Sequence, residues 1–101
     1  MIFKDLTINY PPIYTYDFDY EIEEKILNDR HLLVKKFTVG LQAYEFFKKS
    51  IYFIGRGKYC SDGRDGTYDK RPVYVKDYVL PSVIEAEGEH LMRMFRVIDN
   101  G

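Results

Sequence analysis

Tryptophan is absent from these 101 residues, cysteine occurs once (Cys60) and alanine only twice, at Ala43 and Ala86. A lone cysteine cannot close an internal disulfide, so the fold must rest on a hydrophobic core, and a reducing compartment is favoured. Few alanines weaken intrinsic helix preference, while ten Tyr and seven Phe favour strands. No apolar run exceeds about four residues (Ile51 to Ile54), far short of a bilayer span. The start, Met1-Ile2-Phe3-Lys4-Asp5, shows no basic region followed by an apolar stretch, so no signal peptide is expected. The expected location is therefore cytoplasmic, the host cytosol if the gene belongs to a phage. Scarce Ala beside abundant Tyr, Ile, Lys and Asp suits the AT-rich coding of phages and mobile elements.

With 46% hydrophobic and 31% charged residues, the chain has enough apolar surface for one core, and one domain is expected. The net charge of −1 hides a polarity. Residues 1–24 carry a net −5, residues 25–80 a net +6, and residues 81–101 a net −2. Neither repeats nor low-complexity tracts interrupt it.

From Tyr14 to Glu23, Tyr14, Tyr16, Phe18, Tyr20 and Ile22 alternate with Thr15, Asp17, Asp19, Glu21 and Glu23. A period of two predicts a strand with rings on one face and acids on the other. Pro11-Pro12 separates it from a short strand expected over Ile2–Ile8. Ile22, Ile26 and Leu27 also suit a short helix, and Leu33 with Phe37 a turn-spaced pair. A helix is expected from about Gly40 to Ser50, with Leu41, Tyr44, Phe47 and Ile51 as its apolar stripe. Ile51–Ile54 reads as a buried strand and Gly55–Arg71 as a long basic loop or hairpin tip. Pro72–Leu80 and Leu91–Ile98 read as strands, with a solvated turn over Glu85–His90. The expectation is an α+β domain: a mostly antiparallel sheet with one or two helices on one face.

Arg56, Lys58, Arg64, Lys70 and Arg71, interleaved with Tyr59 and Tyr68, form the set a phosphate-bearing ligand would favour. Gly55-Arg56-Gly57-Lys58 is not a Walker loop, because Tyr59 stands where Ser or Thr is required. Residues 30–50 loosely resemble a helix-turn-helix, with the glycine-rich segment as a wing. Leu41, Glu45 and Phe46 would then face the groove, and these groups do not seek phosphates. Ile51–Lys58 is similar to half of the GIY-YIG nuclease core, but the partner strand is missing upstream. One Cys with two distant His, His31 and His90, supplies no zinc set, and no motif for a cofactor stands out.

Two functional expectations follow. The first is a binding protein, of the inhibitory or accessory kind, that docks on a basic surface of a host macromolecule. Its contacts would be Tyr14, Tyr16, Asp17, Asp19, Tyr20, Glu21 and Glu23, and its partner a protein, for instance one that handles nucleic acid. The second is binding of nucleic acid or a nucleotide by loop 55–71. A homodimer in which acidic and basic surfaces satisfy each other is a further outcome, and a Cys/His or metal-dependent enzyme the least favoured. The docking expectation requires Tyr14–Glu23 to be extended, with its carboxylates free.

Overall fold

The structure, a computed structural model, describes residues 12–56, 63–90 and 92–99. The Ile2–Ile8 strand expectation lies outside these residues, as do Lys58, Tyr59 and Cys60.

The acidic segment is helical, which corrects the strand expectation. Ile13–Tyr14 form a two-residue strand (β1), and Thr15–Asp17 a 3-10 turn. Phe18–Ile22 is a helix (α1) that widens to a π-helical turn over Glu23–Leu27. Every second position from 14 to 22 is apolar, so every fourth is too, and both periods fit. Beyond Ile22 they diverge: a strand would put Glu24 among the rings, whereas a helix puts Ile26 in line with Phe18 and Ile22. The core takes Phe18, Ile22 and Ile26, and leaves Tyr16 and Tyr20 73% and 62% exposed.

Residues 34–50 are not a helix pair. Val34–Val39 is a strand (β2), as its β-branched Val34, Thr38 and Val39 favour, which removes the Leu33/Phe37 pair and the helix-turn-helix. Helix α2 spans Leu41–Lys48, inside the expected bounds. Its buried face is Ala43 and Phe47, flanked by Tyr44 and Phe46, while Leu41 and Ile51 of the expected stripe are exposed. Gly40 precedes it because the 80–81 backbone crosses there: a Cβ would lie 2.0 Å from the Leu80 carbonyl oxygen.

Strand β3 is Phe53–Gly55. The buried strand expected over Ile51–Ile54 is instead an edge, with Ile51 86% and Ile54 70% exposed. Only Phe53 turns inward, against Tyr44 at 5.9 Å between ring centroids. Within the expected loop lies a strand, Gly66–Tyr68 (β4), joined to Arg71–Val75 (β5) by a turn at Asp69-Lys70. Both turn residues have positive φ (47° and 68°), the mirror-image geometry that matches hairpin twist. β5 ends at Val75, short of the expected Leu80. Val83–Gly88 is a strand (β6), not a turn: Ile84 and Ala86 point inward and the intervening acids outward, the one-sided pattern of an antiparallel sheet. Arg93–Ile98 (β7) is the last strand of the chain, within the expected Leu91–Ile98, but it lies between β6 and the short β1 rather than at an edge.

The sheet order is β1-β7-β6-β2-β5-β4-β3, with β1–β7 and β2–β5 parallel and the other four neighbours antiparallel. Both helices pack on one face, so the α+β, mostly antiparallel expectation holds. A radius of gyration of 12.7 Å is that of one packed unit of this length. At the centre, Phe47 meets Phe18 and Tyr68 at 5.0 Å each and Phe37 at 5.3 Å, mostly edge to face. Among the described residues, no helix is long and apolar enough to cross a membrane.

Candidate functional site

Asp19 and Glu23 lie four residues apart, one helical turn, on the flank of α1 that faces the β4–β5 hairpin. The Ser50 hydroxyl donates to Asp19 Oδ1 at 2.6 Å, and the Tyr68 hydroxyl donates to the same oxygen at 2.7 Å. Ser50 Oγ in turn accepts the Tyr52 N–H at 3.0 Å. Two donors on one oxygen hold the carboxylate in a single orientation.

Beside it opens a cleft of about 280 Å³, lined also by Glu23, Asn28, Tyr52, Asp69 and Arg71. Arg71 does not reach freely into it. Its Nη1 donates to both the carbonyl and Oδ2 of Asp69, each at 2.9 Å, and its Nε donates to the Val34 carbonyl at 3.0 Å. Three carboxylates against one committed guanidinium leave the lining acidic. Such a wall, with the half-exposed Tyr52 ring, suits an ammonium or guanidinium group.

Burial raises the Tyr68 phenol well above its ordinary value of 10, and the hydrogen bond to Asp19 and that carboxylate's charge push further the same way. The folded state thus keeps a proton that the unfolded chain loses above pH 10. This stabilisation is complete below about pH 10 and falls by about 1.4 kcal/mol per pH unit above it. Urea unfolding between about pH 9 and 11.5 should show the wild-type stability dropping toward that of Tyr68→Phe. A difference that stays constant with pH would contradict this assignment.

On the opposite flank of α1, Glu21 pairs with Lys25 at 2.6 Å, and Lys25 Nζ also donates to the Pro12 carbonyl at 2.8 Å. Lys25 further sits 5.7 Å from the centre of the Tyr14 ring. Glu21 and Tyr14 are therefore engaged within the molecule. Tyr16, Asp17 and Tyr20 instead border a second hollow of about 440 Å³, together with Phe46 and Lys49.

No protein-family model, curated protein or solved structure matches the chain.

Of the seven residues expected to meet a partner, Tyr16, Asp17, Tyr20 and Glu23 are exposed, Tyr14 and Glu21 pack internally, and Asp19 anchors the cleft. The basic set does not converge. Tyr68 is only 2% exposed, and Arg71 is held by Asp69. Arg64 is half-buried and has an interaction of its own, and Arg56 and Lys70 are exposed at the end of β3 and at the hairpin tip. Residues from the two expected sites, Asp19 and Glu23 with Tyr68 and Arg71, meet in one cleft. Ser50, Tyr52 and Asp69 were missed, because they join Asp19 only through contacts tens of residues apart in the chain. Glu24 was missed too, though a helical reading would have set it beside Tyr20.

Proposed function

We propose that this chain is a small binding protein, of the accessory or inhibitory kind found in phages and mobile elements, that docks on a basic surface of another macromolecule. The extended strand that the docking expectation required is not present, and Asp19 and Glu21 are engaged internally. The docking element proposed instead is the helical segment from Thr15 to Glu24, whose remaining exposed acids need no extended backbone. One observation carries the reading. Asp17, Glu23 and Glu24 are exposed and have no ion-pair or hydrogen-bond partner for their carboxylates among the described residues, and they surround the exposed rings of Tyr16 and Tyr20. Unneutralised carboxylates steer a cation in, and Tyr adds contact area at little entropic loss. The acidic cleft extends this surface toward the hairpin.

The test is fluorescence anisotropy with a labelled decalysine peptide and a labelled single-stranded oligonucleotide. The peptide should bind at about 20 mM salt and lose at least about tenfold in affinity by about 200 mM, as charges screen. The triple variant Asp17→Lys/Glu23→Lys/Glu24→Lys should lose at least about tenfold while its circular dichroism is unchanged. Undiminished peptide binding by that variant, or tight binding of the oligonucleotide instead, would overturn the reading.

A further inference from the structure

Among the described residues, strand β3 ends the sheet, with β4 on one side and no strand on the other. Its pairing fixes which backbone groups face outward. Arg56 N–H donates to the Asp65 carbonyl and Asp69 N–H to the Tyr52 carbonyl, so Phe53 and Gly55 occupy the positions whose backbone groups turn away from β4. Phe53 N–H is already taken by the Ser50 carbonyl at 3.2 Å. That leaves the Phe53 carbonyl and the N–H and carbonyl of Gly55 along the edge. Apolar side chains flank it, since Ile51 and Ile54 are among the most exposed large residues of the fold. At one end Tyr52 forms a wall of the acidic cleft, and at the other Arg56 follows Gly55.

We infer that β3 is the docking edge for an extended segment of the partner, which adds a strand to the sheet and places a lysine or arginine at the Tyr52 end. This rests on the proposed basic partner and names how it is held. An exposed edge supplies hydrogen bonds that any extended chain can use, and the neighbouring pockets select its side chains. The charges at the two ends set the polarity. Acids beside Tyr52 attract the visiting cation, whereas Arg56 repels one from the far end, so the occupant is basic at one end and apolar along Ile51 and Ile54. A second copy paired antiparallel through β3 would also bring its Arg56 to the Tyr52 end, and the concentration dependence below separates that outcome.

The experiment compares an acetylated (Lys-Val)4 peptide with the same peptide N-methylated at alternate backbone amides. The two have equal charge and similar side chains, but the second cannot donate along one edge. Binding is followed by anisotropy, and Gly55 by amide hydrogen exchange in isotope-labelled wild-type protein. The unmethylated peptide should bind at least about tenfold tighter and slow exchange at the Gly55 N–H at least about tenfold. Equal affinity with no protection of Gly55, while the charge-reversed triple variant still loses binding, would sink the edge assignment and leave the basic-partner reading standing. Failure of both peptides to bind would remove both. Protection of Gly55 that rises with protein concentration before any peptide is added would overturn the inference in favour of a second copy. A Cβ at Gly55 meets nothing nearer than Phe53 Cε1 at 4.0 Å, and the Gly55 nitrogen that Gly55→Pro would close a ring on faces away from β4. With its N–H gone, this variant should bind the unmethylated peptide more weakly, because a peptide carbonyl loses its donor; undiminished affinity would overturn the edge assignment.

Discussion

Replacing Phe47 with alanine is expected to destabilise the protein by about 3–5 kcal/mol, the largest effect of any single truncation. Phe47 is fully buried, and its ring touches a partner from each layer: Phe18 of α1, Phe37 of the central strand β2, and Tyr68 of β4. Truncation removes the transfer free energy of a benzyl group and leaves a cavity among rings whose backbones are fixed by the sheet, so little collapse can follow. For a domain of this size, each kcal/mol shifts Tm by about 4–8 °C, so thermal unfolding should move down by well over ten degrees. Leu41→Ala, on the exposed side of the same helix, should stay within about 0.5 kcal/mol. Comparable losses for the two would show that the wrong face of α2 has been placed against the sheet.

Asp29→Ala is expected to follow, at about 3–5 kcal/mol. Asp29 lies just after the helical segment and Arg93 begins β7; they form an ion pair in which both side chains are nearly buried. Asp29 Oδ1 also accepts the His31 N–H at 2.7 Å, so the carboxylate organises the turn into β2 as well. Its removal leaves a cation at the sheet face without that counter-charge. The penalty is chiefly this desolvated charge, not the loss of an attraction. Arg93→Met on top of Asp29→Ala should therefore recover part of the loss, with a coupling of about 0.5–3 kcal/mol in a double-mutant cycle read by urea unfolding. Additive losses would contradict the pair. The surface bridge Lys35–Glu89 should contribute less than about 1 kcal/mol.

These expectations bear on what could be read from residues alone. Helix α2 was legible in its existence and its start after Gly40, but not in its buried face, since Leu41 and Ile51 of the expected stripe are exposed and Ala43 is buried. A final strand was expected over Leu91–Ile98 and is found over Arg93–Ile98, although its arginines fall three apart rather than two, and Phe95 and Val97 turn inward. The acidic segment was misread because its alternation up to Ile22 satisfies two periods at once. Only the fate of Ile26, which needs Phe18 and Ile22 beneath the same sheet, separates them. Glu85–His90 reads as a solvated turn because its acids dominate, yet Glu85 and Glu87 occupy the outward side of β6, and Glu87 meets Lys36 across the neighbouring strand at 3.5 Å.

Composition, length and short-range spacing were enough to establish one α+β unit without disulfides, a helix after Gly40, a final strand, and the acidic–basic–acidic order of charge along the chain. Those properties depend on residue types and on neighbours within a turn or two. Which face of each element is covered depends instead on partners far along the chain, as does the meeting of Asp19 with Ser50 and Tyr68. Packing against a common sheet therefore decided that the acids lie on a helix, that Tyr68 and Arg71 serve the fold, and that Ile51 and Ile54 remain on an open edge. A chain's local pattern states what each residue prefers, and burial of the whole assigns who is on the inside.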